Sequence, residues 1–192
     1  MNLLAHLHLS EGRSPAETAG NLLADFLRRF GAAPPDDAFA AGVRLHRAID
    51  AFAEAHPRLR PLRARFSPAR RRLGGIILDV AGDHFLAQEW AAFSPVPLRA
   101  YVADRLAAVQ RHLRAQASPL GPLLDRAIAE EWLLECGTLD GLGRTFLRIS
   151  RRSPAAAPLR GAEEEIERHW PALRAAFADF YPQLRARCAP PP

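Results

Sequence analysis

A single all-α domain is the fold class predicted here, and three observations predict it. Helix caps and stops recur along the chain, apolar residues repeat at three and four between them, and no alternating run is long enough for a strand. The 192 residues can bury one core. The domain is expected to span residues 1–188, with the Pro-rich end at 189–192 as a flexible tail.

The elements follow in order. Ser14-Pro15-Ala16-Glu17 combines an N-cap Ser, a first-turn Pro and a Glu placed to close a capping box. The helix that follows carries Leu22, Leu23, Phe26, Leu27 and Phe30 as its stripe and stops at Gly31. Asp36 or Asp37 caps a second helix to Ala55, with Phe39, Val43, Ile49 and Phe52 inward, and His56-Pro57 breaks it. Ser67-Pro68 reads as the start of a third helix carrying Ile76, Ile77, Val80, Phe85 and Leu86. Residues 98–117 are amphipathic, and Ser118-Pro119 opens a segment that runs through Glu135 and ends at Gly137. Thr138 caps a short helix to Ile149, and a last helix covers Ala162–Phe180, interrupted near Pro171.

A net charge of +5 and a pI near 10.4 suit an anionic partner: nucleic acid, an acidic protein or a phosphorylated substrate. All 26 basic residues are Arg. The densest stretch is Arg58–Arg72, a candidate partner surface through Arg63, Arg65, Arg70, Arg71 and Arg72. Cys136 and Cys188 have no metal-like spacing, so a disulfide framework is not expected, which fits a cytoplasmic location. The opening MNLLAHLHLSEGR lacks a basic leader and sets His6 and His8 in its apolar stretch, unlike a signal peptide. No apolar run reaches membrane-spanning length.

Polar pairs at helical spacing stand out against these apolar helices: Asn21/Asp25, His46/Asp50 and Asp79/Asp83, with His84 directly after. Residues four apart share a helix face, and buried carboxylates and imidazoles need partners or a metal. Imidazole with carboxylate suits Mn, Fe, Zn or Mg, ions that activate water and neutralise phosphate oxygens. Phosphate-ester hydrolysis is the chemistry such a site predicts. His6 and His8 diverge by about two hundred degrees on a helix, so at most one faces the site. His56, His112 and His169 read as helix-end, packing or surface residues. Arg47, beside His46, is either a phosphate ligand or a surface residue. Two rivals stay open at this point: a hydrolase of nucleotides or small phosphodiesters, and a non-enzymatic Arg-rich binding module.

The blocks MNLLAHLHLS, GNLLADF at 20–26, LHRAID at 45–50 and RRLGGIILDVAGDHFLAQEW at 71–90, with weaker EEWL at 130–133 and DFYPQL at 179–184, resemble the acyl carrier protein phosphodiesterases. The resemblance implies a helical bundle distantly like the HD-domain phosphohydrolases. It implies removal of 4'-phosphopantetheine from holo-acyl carrier protein with Mn2+, or Mg2+ or another divalent metal, and an acidic protein partner rather than nucleic acid or membrane. By position, Asp25 is the leading metal-binding carboxylate, with His46, Asp79, Asp83 and His84 as further ligands. His6, Asn21, Arg47 and Asp50 join Asp25 as candidate catalytic residues. The HD signature has His before Asp, whereas here the order is Asp83-His84.

Overall fold

The computed structural model describes residues 2–31 and 33–189; the last three residues of the expected tail lie outside them. Among the described residues the regular structure is entirely helical. It comprises α1 (Leu3–His8), α2 (Pro15–Arg29), α3 (Asp37–Ala55), α4 (Gly74–Gln88), α5 (Leu98–Ala115), α6 (Gly121–Ala129), α7 (Leu139–Ser150), α8 (Glu163–Arg168) and α9 (Trp170–Cys188), with short 3-10 turns between them. None of these helices is long and apolar enough to cross a membrane.

Several boundaries follow the capping chemistry. Ser14 Oγ and N–H both donate to Glu17 Oε2, at 2.9 and 3.1 Å, while Glu17 N–H donates back to Ser14 Oγ. Gly31 takes a positive φ of 62° at the end of α2. Asp36 caps α3 by accepting from Phe39 N–H at 2.7 Å, and Thr138 caps α7 by accepting from Gly141 N–H.

Three boundaries differ from expectation, each for a physical reason. The α4 helix begins at Gly74, not Ser67, because Ser67 opens a turn that closes on itself: Arg70 N–H and Arg71 N–H both donate to its carbonyl, and a 3-10 turn at Arg71–Leu73 follows. The segment after Ser118 stops being helical at Ala129, where Glu131 turns left-handed at φ 50°. Trp132 N–H donates to the Ala127 carbonyl and Glu131 N–H to that of Ile128, a Schellman closure built without glycine. Ala117, at φ 46°, closes α5 the same way. Finally, α9 continues past Phe180 to Cys188 because Tyr181, Leu184 and Cys188 are buried and extend its inner face beyond Pro182.

What positions the polar pairs is the crossing of α2 over α3. A Cβ on Gly20 would stand 2.1 Å from the Phe39 carbonyl oxygen, and one on Gly42 would stand 2.0 Å from that of Glu17. No side chain fits there, so the two backbones touch and bring Asn21 and Asp25 against His46 and Asp50. The α1 helix lies against α2 and α4, and α9 packs on both α3 and α4. The first-turn amides of α1 would be orphaned inside the core. Asp83 of α4 accepts them, at 2.8 Å from Leu4 N and 2.9 Å from Ala5 N.

Gly42→Ala forces the α2–α3 backbones apart and is expected to destabilise the fold by about 3 kcal/mol, read from the urea midpoint. Ala117→Gly relieves a left-handed alanine and is expected to raise stability by about 1 kcal/mol; an unchanged or lower midpoint would show that the α5 closure carries no strain.

Candidate metal centre

Asn21 organises the centre. It is fully buried, and its side-chain NH2 donates to the His6 carbonyl at 2.9 Å and to Ser10 Oγ at 2.8 Å. A carbonyl can only accept, so this fixes the amide orientation and turns Oδ1 towards His6 Nδ1, 2.9 Å away. His6 therefore carries its proton on Nδ1. The main-chain carbonyl of the same residue sits 2.8 Å from His46 Nδ1, which assigns His46 the same tautomer. One residue thus holds both imidazoles with Nε2 directed away from it.

The two rings stack at 4.2 Å with 17° between their planes, and both Nε2 atoms meet Asp50. His6 Nε2 lies 3.4 Å from Oδ1 and His46 Nε2 lies 3.1 Å from Oδ2, with Asp25 Oδ1 3.7 Å from the latter. Although ion-paired, buried His46 Nε2 has no aligned hydrogen bond. One ligand atom from each of His6, His46 and Asp50 falls within 4.8 Å of the others. Atoms bound at roughly 2.1 Å to one ion stand up to about 4.2 Å apart, so small side-chain shifts would gather all three.

The electrostatics follow the geometry. Burial lowers the pKa of His6 against the opposing pull of Asp50. Burial also acts to lower that of His46, but Asp25 and Asp50 outweigh it and hold the imidazole up at about 9. Burial acts to raise the Asp50 carboxyl, yet His46 and His6 keep it far below the usual carboxylate range. At neutral pH His46 thus keeps a proton on the Nε2 that faces the carboxylates, and a metal would have to displace it. Once it leaves, imidazole nitrogens beside ionised carboxylates make a donor set suited to Mn, Fe or Zn. The carbonyls behind each ring provide the orienting contacts that metal-bound histidines commonly have.

The other expected site residues fall into three groups. Asp25 is exposed at the mouth of the cluster, and Arg47 is exposed on α3. Asp79, Asp83 and His84 belong to no group of three or more such ligand atoms among the described residues. Asp83 caps α1, and burial raises its pKa to about 7. His84 donates through Nδ1 to the Cys136 carbonyl at 2.6 Å and packs against Trp170; Asp79 is half-buried on α4. Of the two early histidines only His6 joins the cluster. His8 turns to Tyr181 Oη, 2.7 Å from its Nδ1, among Trp90, Phe93 and Tyr101.

The expected partner surface is largely committed to holding the fold. Arg70 donates to the carbonyls of Pro158 and Arg160 and reaches Glu165, Arg71 donates to the Phe66 carbonyl, and Arg63 faces Glu54. Arg65 and Arg72 are exposed. Ser10, which completes the Asn21 network, gave no sequence signal because it lies in a turn outside any helical period.

The chain matches the family described as acyl carrier protein phosphodiesterase over residues 1–184. A protein of that name from Serratia proteamaculans is 36% identical over 187 residues, covering 96% of this chain and 95% of its own. Another from Salmonella dublin is 36% identical over 192 residues, covering 98% of each. A third, from Pectobacterium atrosepticum, is 32% identical over 185 residues, covering 96% and 95%. No solved structure matches the chain.

Burial, then Arg185, lowers the His8 pKa from 6.5 to about 4. Its folded pKa is below its unfolded one, so the unfolded state binds more protons and stability falls as pH drops from about 6.5 to 4. Relative to a His8→Gln variant, the wild type is expected to lose on the order of 3 kcal/mol across that window. A constant difference in urea midpoint would refute the assignment.

Proposed function

The chain belongs to the acyl carrier protein phosphodiesterase family and is a hydrolase, and on that footing we propose that it removes 4'-phosphopantetheine from holo-acyl carrier protein with a divalent metal. Mn2+ is the ion we assign, with Mg2+ as the nearest substitute, held by His6, His46, Asp50 and Asp25. The observation that carries this is the fixed pair of Nε2 atoms converging on Asp50, with Asn21 behind both rings.

When bound, such an ion would polarise the phosphoryl group and acidify a water, the two needs of a diester whose leaving groups are both alkoxides. The chain's own residues supply the rest. Asn21 prevents either imidazole from flipping, so both present Nε2 without a reorganisation cost. Asp50 bridges the two rings and remains ionised across the neutral range. Asp25, the most exposed of the set, completes the donors on the side open to a protein substrate. Arg47, exposed one position after His46, is left to meet a non-bridging phosphate oxygen in the bidentate manner of guanidinium. In this assignment Asp83 is a helix cap, and His84 with Asp79 belongs to the α4 packing.

The test follows the intact mass of holo-carrier protein incubated with the enzyme and Mn2+. The expected result is loss of the phosphopantetheine mass, abolished by chelation and reduced at least 100-fold, as an order of magnitude, by Asp25→Ala or His46→Ala. Thermal unfolding separates binding from turnover. Mn2+ at a hundredfold excess over its Kd should stabilise the wild type by about 2.7 kcal/mol and leave His46→Ala unshifted. Turnover that survives chelation would remove the metal from the mechanism.

A further inference from the structure

A strongly positive concavity lies away from the Arg58–Arg72 stretch. It is a groove of about 600 Å³ between the end of α2, α6 and the end of α7. Five of its lining residues are arginines, Arg126, Arg144, Arg148, Arg151 and Arg152. Glu130 pairs with Arg126, and Glu135 with Arg144 and Arg148, so the five positive charges keep an excess of three over the two carboxylates. Four of the arginines follow one another along α7 and its end, from Arg144 to Arg152, and Arg126 joins them from α6.

The groove is organised. Glu135, almost fully buried, accepts from Arg144 at 3.0 Å and from Arg148. Arg148 stacks over Trp132 with its guanidinium carbon 4.5 Å from the ring centre, and Arg152 lies over Phe26 at 5.3 Å. Guanidinium planes held by stacking lose little entropy on meeting a carboxylate. Phe30, 53% exposed, adds an apolar contact at the rim. Its wall also adjoins the metal centre in the chain: Phe26 follows Asp25 directly on α2.

We propose that this groove docks the acidic face of the protein substrate, a surface of clustered carboxylates with an apolar residue for Phe30. This rests on the assignment of a carrier protein as substrate. Nucleic acid would also answer positive charge, but it calls for aromatic faces in series for base stacking or an extended phosphate track. Here Trp132 is buried and its ring is covered by Arg148, so Phe30 has no second exposed ring beside it among the described residues, and the arginines gather in one concavity instead of along a track. An acidic, partly apolar protein face fits both properties.

The experiment compares wild type, Arg126→Glu/Arg151→Glu/Arg152→Glu, and a control on the expected surface, Arg65→Glu/Arg72→Glu. All carry Mn2+, and all are confirmed as folded by circular dichroism. KM and kcat for holo-carrier protein are measured beside kcat/KM for bis-p-nitrophenyl phosphate, and binding of apo-carrier protein by anisotropy. The groove variant should raise KM for the carrier protein at least tenfold with kcat within twofold, weaken apo-carrier binding equally, and leave the small diester unaffected. The control should match wild type. Wild type that binds apo-carrier protein without cleaving the holo form would overturn the reaction but not the docking site. Unchanged KM and binding in the groove variant would overturn the docking site but not the reaction. Tighter binding of single-stranded RNA than of apo-carrier protein, lost in the groove variant, would reassign the groove to nucleic acid. Should the triple variant fail to fold, the same substitutions to Gln serve.

Discussion

The close contact of α2 with α3 is the constraint on which the rest depends. Gly20 and Gly42 remove the side chains that would hold the two helices about a methyl group further apart. At that separation the Asn21 main chain lies within hydrogen-bonding distance of His46, and Asp25 and Asp50 both reach its Nε2. A hydrogen bond of 2.8 Å tolerates a few tenths of an ångström, so the backbone contact and the polar cluster are one arrangement. The apolar stripes of both helices could pack at a larger spacing; the polar set could not remain joined there.

Asn21 has a second consequence for the same centre. It connects three elements: through its side chain it holds α1 and the following turn, and through its carbonyl it holds α3. The ring orientations are therefore tied to the tertiary structure and not to local rotamer preference. Each bond is buried, where a lost partner costs about 1–3 kcal/mol.

Much of this arrangement could be read from residue types and spacing. Ser14 with Glu17, Asp36 and Thr138 each announced a helix start, because capping is local chemistry. The four-residue spacing of Asn21/Asp25 and His46/Asp50 marked side chains that the structure brings together with His6. The same spacing at Asp79/Asp83 marked another polar face, where Asp83 meets the α1 amides. Periodicity specifies which face a residue occupies; it does not specify the neighbour that face will meet. The turn at Glu131 was hidden because a left-handed residue is announced by glycine, and here it is a glutamate. The start of α4 was hidden because Ser67-Pro68 opens a turn as readily as a helix, and here Arg70 and Arg71 N–H close that turn on the Ser67 carbonyl. The arginine groove escaped for a related reason: the spacing of Arg144, Arg148, Arg151 and Arg152 shows a basic helix end, but not that packing sets Arg126, Phe26 and Trp132 beside it.

The attachment of α1 bears on the order in which the molecule can be completed. Six residues are too few for a helix to persist alone in water, and what secures this one comes later in the chain: Asp83 at its amides and Tyr181 at His8. During synthesis α1 emerges well before either partner. Asn21 on α2 can receive His6 early, but the α1 amides gain their acceptor only once α4 has been made, and the hold from α9 comes later still. The short helix that carries the first imidazole is thus completed late, by residues far along the chain.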